Sequence, residues 1–346
     1  MKRCRILMTP LSGQKEQESG YSANGLKKLT GSTKVTPQLP FTREQFVHEL
    51  PKKQQGMSIS GYQPKLQLVL NGDRFAVVDY QGEFILKPSP AEFPQLAENE
   101  HATMMVMSKL GFTVPAHGLL KFKVEENGEQ PEFAFVIKRF DRHPATGAPL
   151  HQEQLDAAMD IGEKYGKTRD DGKQYVSYER LALFLIEKVN DNLAFKMDLF
   201  RRVTYAWLLG NNDMHLRNFG LLLPVAGRPL LAPVYDFVSV APYPDYFNAS
   251  YLALPLLMRE EGEGELAEGF KTAYGEYIGM DFLALGLSMG LSRALVISLL
   301  SGLMKEAELV VGVYNSSFMQ AEAVERTLKC YQQRLKRLQL INEPLI

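Results

Sequence analysis

The hydrophobic period of the chain changes once, near residue 141, and this change constrains the fold more than any single motif. Upstream of it, short strand-like runs follow closely on one another: Leu66-Val69, Phe75-Val78 and Phe84-Leu86, separated by the turn formers Asn71-Gly72-Asp73 and Gln81-Gly82. Such spacing predicts an antiparallel meander. One helix interrupts the series, from about Glu98 to Leu110, with Met104, Met107 and Leu110 on one face and Gly111 as its C-terminal cap. Two further strands, Gly118-Val124 and Phe133-Phe140, close the first half, and Phe75, Phe84, Phe133 and Phe135 are read as its core. Beyond Arg142 the period becomes helical: His151-Met159, Tyr178-Val189 behind an N-cap Ser177, and Asp198-Leu209 ended by Gly210. Leu199, Val203 and Ala206 or Trp207 give the last of these a buried stripe. Short strands at Gly220-Leu223 and Leu230-Leu231 precede Asp236, and the remainder reads as mainly helical. The expected class is α+β in two lobes: residues 1–140 with a small antiparallel sheet and one helix, and residues 141–346 mostly helical.

A length of 346 residues is about twice the usual ~150-residue domain, in keeping with two lobes. Hydrophobic and charged contents of 45% and 23% exclude a disordered, collagenous or coiled-coil chain. Thirty-nine Lys+Arg against forty Asp+Glu leave a net charge of -1, hence no global field for nucleic acid or an anionic membrane. Any contact with DNA is expected to run through a partner that carries the basic surface. Cys4 and Cys330, the only cysteines, form neither a disulfide framework nor a CxxC knuckle, which points to a reducing cytoplasm. The apolar run Ile6-Leu7-Met8 is too short for a signal-peptide core. Phe282-Met304 contains Arg293, Gly286 and Gly290, and predicts two short buried helices rather than a membrane span. The first sixty residues are polar and read as a lightly structured lead-in, with one helix at Thr42-Leu50 opened by a Thr42/Gln45 capping box.

A small sheet lobe followed by a helical lobe suggests a nucleotide cleft, and the charged residues occur in the order such a cleft requires. Lys87 ends the apolar strand Phe84-Ile85-Leu86, where it is expected to face phosphates, and Glu100 on the next helix is its expected partner. Asp213-Met-His-Leu-Arg-Asn218, followed by Asp236, supplies a base and two metal ligands in the D-x-x-x-x-N arrangement of phosphoryl transfer. Either fragment alone is ordinarily a turn cap or a loop bridge; the ordered set of five carries the functional reading. The small residues of Gly56-Met57-Ser58-Ile59-Ser60-Gly61-Tyr62-Gln63-Pro64-Lys65 are suited to a phosphate cradle, although they match no standard phosphate loop. His101, His117, His143, His151 and His215 show no H-x-x-x-H spacing, so zinc is not expected, and there is no G-x-S-x-G elbow. His215 is read as a hydrogen-bond donor that orients the Asp213 loop.

With these residues, the chain resembles the HipA-type serine/threonine kinases, the toxin components of bacterial toxin–antitoxin systems. The resemblance runs from Ser58-Ile-Ser-Gly-Tyr-Gln-Pro-Lys65 through Phe84-Ile-Leu-Lys87, Glu98-Asn-Glu100, Val136-Ile-Lys-Arg-Phe-Asp-Arg142 and Gly210-Asn-Asn-Asp-Met-His-Leu-Arg-Asn-Phe219 to Val234-Tyr-Asp-Phe237. It implies a protein-kinase-like fold and ATP bound by Ser58, Ile59, Ser60, Gly61, Lys65, Lys87, Glu100, His215, Asn218 and Asp236. It further implies that adenine is held by the backbone at Lys138 and Phe140, that Asp213 is the catalytic base, and that Asn218 and Asp236 bind Mg²⁺. Autophosphorylation is implied at Ser58 or Ser60. HipA-type kinases carry an extra subdomain ahead of the phosphate loop, which here begins at residue 56. The chain therefore looks closer to the short HipT kinases of three-component HipBST systems. That likeness implies three partners: a helix-turn-helix antitoxin resembling HipB, a small HipS-like protein corresponding to the missing subdomain, and an aminoacyl-tRNA synthetase, tryptophanyl-tRNA synthetase in particular, whose phosphorylation would stop translation.

Two alternatives remain at the level of sequence. A small-molecule kinase of the aminoglycoside or choline type uses a similar Asp…Asn…Asp set. A nucleotide-binding regulator without turnover is disfavoured, because every charged position is intact.

Overall fold

The computed structural model describes residues 2–48, 64–124, 131–143, 146–225, 227–245, 252–342 and 344. The chain divides into two units: Met1–Lys109 with Thr113–Phe140 and Gly312–Gln320, and Leu110–Phe112 with Asp141–Val311 and Ala321–Ile346.

In the first unit, helices α1 (Gln14–Ser19), α2 (Ala23–Thr30) and α3 (Arg43–His48) precede β1 (Leu66–Asn71), β2 (Arg74–Val78) and β3 (Phe84–Pro88). Helix α4 (Leu96–Lys109), β4 (His117–Lys121) and β5 (Phe133–Lys138) follow. The strands form one antiparallel sheet in the order β2-β1-β3-β5-β4. It is not the expected meander, because β3 pairs with β1 on the side away from β2. The Gln67 side chain diverts the chain there: its Oε1 accepts from the Gly82 amide at 2.9 Å, and a Cβ on Gly82 would lie 2.6 Å from the Gln67 Cβ. The connection after Val78 thus crosses the end of β1 instead of folding back beside β2.

The predicted lead-in is also corrected. Residues 2–48 cover one face of the sheet, with Cys4, Ile6, Leu11, Tyr21, Leu29, Leu39 and Phe46 buried in one cluster with Leu66, Phe75, Phe84 and Phe122. Main-chain and side-chain bonds fasten this layer: Leu119 donates its amide to the Arg5 carbonyl at 2.9 Å, and the Tyr21 hydroxyl donates to the Leu119 carbonyl at 2.8 Å. At Gly118 a Cβ would meet Ile6 Cγ1 at 2.8 Å, so the residue is small where the N-terminal segment crosses its strand. Most of the anchors are single apolar residues in irregular chain, without the period that marks a helix or a strand; Leu29 lies in α2 and Phe46 in α3. The Thr42/Gln45 capping box is present, with Gln45 Oε1 accepting from the Thr42 amide at 3.0 Å and Thr42 Oγ1 from the Gln45 amide at 3.2 Å.

In the second unit, β6 (His151–Gln154), α5 (Leu155–Ala158), α6 (Tyr178–Lys188) and α7 (Leu193–Leu208) precede β7 (Gly220–Leu223) and β8 (Leu230–Leu231). Helices α8 (Gly279–Ser288), α9 (Arg293–Asn315) and α10 (Ala321–Arg337) complete it, with the last residues of α9 belonging to the first unit. The expected helix at His151-Met159 is instead an edge strand and a single helical turn, because β7 takes residues 151–154 as its antiparallel partner and tertiary pairing overrides weak local preference. Helix α7 starts earlier than expected, where Asn192 Oδ1 accepts from the Phe195 amide at 2.9 Å. Helices α6, α8 and α10 pack on it, and Leu199, Val203, Ala206 and Trp207 are buried. Residues 252–278 are mostly irregular with two 3-10 turns, and the second predicted short helix is the start of the long α9. Among the described residues no helix is long and apolar enough to cross a membrane.

Candidate active site

Alternation along β3 decides the position of Lys87. Phe84 and Leu86 enter the cluster beneath residues 2–48, so Lys87 leaves the opposite face. There α4 offers Glu100, and Lys87 Nζ lies 2.6 Å from Glu100 Oε1, both side chains being 4% exposed. The ammonium also sits 5.6 Å from the Phe135 ring centroid. Burial this deep holds the pair in one geometry, and either charge alone would be costly.

In the second unit the Asp213 loop starts where α7 ends. Gly210 takes φ +70°, the left-handed conformation that ends a helix most easily in glycine. The Asn211 amide donates back to the Ala206 carbonyl at 2.8 Å, and Asn211 Oδ1 accepts from the Asp213 amide at 3.1 Å. Each following residue has its own anchor. The Met214 carbonyl accepts from the Tyr178 hydroxyl at 2.8 Å, and the Leu216 amide donates to the Lys164 carbonyl at 3.0 Å. Arg217 Nε binds Asp156 Oδ2 at 2.6 Å, and the Arg217 carbonyl accepts from the Tyr235 hydroxyl at 2.9 Å. A 3-10 turn, Leu216–Asn218, then brings Asn218 back, and its Nδ2 donates to the Asp213 carbonyl at 2.6 Å. The loop is rigid at its backbone, while the Asp213 carboxylate remains 49% exposed.

Tyr235 bonds this loop from the segment that carries Asp236, so the second acidic residue is tied to the first loop by its own neighbour. Asp236 itself has φ +50°, a conformation that costs a non-glycine residue free energy and recurs at functional sites. Gly220 has room for no side chain beside it, since a Cβ would lie 2.9 Å from Gln152 Nε2 and 3.1 Å from the Tyr235 hydroxyl. The oxygen set of Asn218 and Asp236 has the hard-donor chemistry that suits Mg²⁺. Among the described residues no group of three His, Cys, Asp or Glu side chains is placed to hold a metal.

His215 does not act as the expected hydrogen-bond donor. Its Nε2 is 3.6 Å from Asp213 Oδ1, beyond hydrogen-bond reach, and its buried Nδ1 has no partner. The ring is held instead by the edge of Tyr165, 5.4 Å away between centroids. Burial lowers its pKa against the opposing pull of the Asp213 and Asp236 carboxylates, which leaves a neutral imidazole near both acids.

The other expected positions fall variously. Ser58, Ile59, Ser60 and Gly61 lie outside the described residues, and Lys65 is half-buried just ahead of β1. The Lys138 amide already donates to the Ala116 carbonyl at 2.8 Å, so only its carbonyl could meet an adenine; Phe140 is half-buried. The dispersed histidines include one pair that spacing did not reveal: His101 and His117 face each other Nδ1 to Nδ1 at 3.0 Å. Phe133 is half-buried rather than core, with the Arg5 guanidinium 4.1 Å above its ring. Asp156, Tyr178, Tyr235 and Lys164 were not anticipated as loop anchors. Only the position of Tyr235 beside Asp236 carried any signal, because the others are distant in sequence.

The HipA-like C-terminal domain profile matches residues 57–308, more than half of the chain. The chain belongs to the HipA-like family. A Haemophilus influenzae protein, provisionally assigned as a kinase, is 53% identical over 345 residues, 99% of either chain. The serine/threonine-protein kinase toxin HipA of Shewanella oneidensis is 28% identical over 212 residues, 57% of this chain and 46% of its own length. The HipA-like chain thus spans less than half of that relative. In three dimensions it is similar to Shewanella oneidensis HipA in its complex with HipB and operator DNA. The TM-score is 0.64 at 23% identity, over 88% of this chain and 73% of that one. This likeness shows the fold, the α+β fold of the HipA kinases.

Proposed function

We propose that this HipA-like protein is an ATP- and Mg²⁺-dependent serine/threonine protein kinase and the toxin of a toxin–antitoxin system. The observation that carries the reading is the Asp213 loop: one carboxylate left open to solvent on a backbone anchored at nearly every residue, with Asn218 and Asp236 as hard oxygen donors. In this reading Asp213 takes the proton of the attacking hydroxyl. The hydroxyl oxygen bonds the γ-phosphorus as the bond to the bridging β–γ oxygen breaks, and ADP leaves. Asn218 and Asp236 would hold Mg²⁺, which supplies charge neutralisation on the phosphate oxygens. Lys87, kept in place by Glu100, would bind phosphate oxygens, and Ser58, Ile59, Ser60, Gly61 and Lys65 would line the phosphate loop.

The finer reading is a HipT-like enzyme that phosphorylates an aminoacyl-tRNA synthetase, tryptophanyl-tRNA synthetase first among candidates, and itself at Ser58 or Ser60. A HipB-like antitoxin would bring it to DNA, as the complex of the Shewanella protein and the charge of -1 on this chain support. A HipS-like protein would be the third component, and the cytoplasm the compartment. The test is incubation of the purified chain with labelled ATP and a cytoplasmic lysate. Label in a synthetase is expected; label confined to small molecules would instead favour an aminoglycoside- or choline-type kinase.

A further inference from the structure

The first unit contains a basin of about 430 Å³ that lies apart from Lys87 and Glu100. Its wall is built from four separate stretches of the sequence: the N-terminal segment from Lys2, strand β4 at Lys121, strand β5 at Phe133, and the turn after α9 at Ser316 to Phe318. Its size is that of a small-molecule site, and its charge is one-sided. Lys2, Arg3, Arg5 and Lys121 line it against a single carboxylate, Glu18, whose Oε1 already accepts from Gln14 Nε2 at 2.9 Å. The C-terminal ends of α1 and α9 also face this region, and each subtracts at most about half a charge. Behind the wall the Glu98 carboxylate, its pKa pushed up to about 6 by burial, also interacts with Arg5, so the excess is between about one and two positive charges.

Arg5 is the centre of this excess. Its guanidinium is stacked between the rings of Phe133, at 4.1 Å, and Phe318, at 5.3 Å, and its buried Nε has no hydrogen-bond partner. Two aromatic faces fix the plane of the fork while leaving its donor edge uncommitted, so the entropic cost of ordering it for a ligand is already met in the fold. Lys2, whose Nζ also donates to the Gln17 carbonyl at 3.1 Å, and Lys121 add point charges at the rim, and the Ser316 and Ser317 side chains bring hydroxyl donors. A planar fork, two ammonium groups and hydroxyls match the several clustered acceptor oxygens of a phosphate better than the separated carboxylates of an organic acid.

We propose that this basin binds a compact phosphate dianion, either free phosphate or a small phosphate monoester. Its occupant would tie the N-terminal segment to the turn after α9 and raise the stability of the unit by mass action. The site shares no residue with the phosphoryl-transfer set, so its failure and the failure of the kinase reading are separable.

The test is calorimetric titration of the full chain in EDTA with glycerol 2-phosphate, with inorganic phosphate and with malate. Saturable binding of at least one phosphate with Kd below about 1 mM is expected, with malate weaker by about tenfold or more. A tighter ester identifies a phosphorylated metabolite as the ligand, and equal affinities identify the free ion. The variant Lys2→Gln/Lys121→Gln, altered only at the rim, is expected to raise Kd about tenfold with an unchanged thermal midpoint in phosphate-free buffer, and Lys87→Met/Glu100→Gln, which removes the active-site cation without stranding a buried charge, to change it less than about twofold. The proposal is overturned by any of four results: no saturation below about 10 mM, malate binding as tightly as phosphate, wild-type affinity in the rim variant, or loss of binding in Lys87→Met/Glu100→Gln.

Discussion

Asn218 donates from Nδ2 to the main-chain carbonyl of Asp213 at 2.6 Å. The amide therefore has one end committed to the loop that carries the acid, and in the proposed reading its oxygen end would hold the cation, so one side chain would set both the shape of the loop and its metal-binding chemistry. Replacement by aspartate keeps an oxygen ligand but puts a carboxylate against that carbonyl. Asn218→Asp is expected to lower phosphoryl transfer about 10- to 100-fold and to raise the Mg²⁺ concentration required, as loss of a supporting hydrogen bond does at metal sites. A transfer assay over a Mg²⁺ titration checks this; a wild-type rate at low Mg²⁺ would show that the bond is dispensable.

Asp213→Asn and Asp236→Asn remove charge with little change of volume. Each is expected to abolish transfer, and only the second to weaken Mg-ATP binding. Position 236 carries a second demand, its φ of +50°. Asparagine tolerates that conformation and valine does not, so Asp236→Val is expected to cost about 1–2 kcal/mol of stability beyond Asp236→Asn. Denaturant melts of the two variants compare them directly.

Lys87→Met strands the Glu100 carboxylate in a site where both partners are 4% exposed, at an expected cost of about 3–5 kcal/mol. Lys87→Met/Glu100→Gln removes both charges and should recover most of that loss while remaining inactive. If the double variant melted with the single one, the pair would not be electrostatically coupled.

His101 and His117 give the first unit an acid limit. Burial pushes His117 down to about 3, with Lys28 adding to the effect, and burial and His117 push His101 down. Both folded values lie below the ordinary imidazole value of 6.5, so the unfolded chain binds the extra protons. Stability is complete above pH 6.5 and falls as pH drops towards 3, by on the order of 4 kcal/mol for His117. His117→Phe, which keeps the ring against Phe135, is expected to flatten the slope of unfolding free energy between pH 6 and pH 4. An unchanged slope would place the acid limit elsewhere.

The change of period at residue 141, the strands of the first half, the β1–β2 hairpin at Asn71-Gly72-Asp73 and the short turn from Asp213 to Asn218 were legible in the sequence, because each depends on near neighbours; Gln81-Gly82 made no hairpin, since β3 pairs with β1. The Lys87–Glu100 pair was legible too, since strand alternation and the next helix bring the two residues together by local geometry. Contacts between distant segments decided the rest. The polar N-terminal stretch became a layer of the core through isolated residues such as Cys4, Ile6 and Leu11, whose burial no periodicity announces. Residues 151–154 became a strand only because β7 needed an edge partner. Tyr178, Asp156 and Lys164 hold the Asp213 loop from far along the chain, and His101 met His117 only once α4 lay across the sheet. Local preferences are worth a few tenths of a kcal/mol per residue; the burial of a single large side chain is worth about 2 kcal/mol. Where the two disagreed, tertiary packing chose.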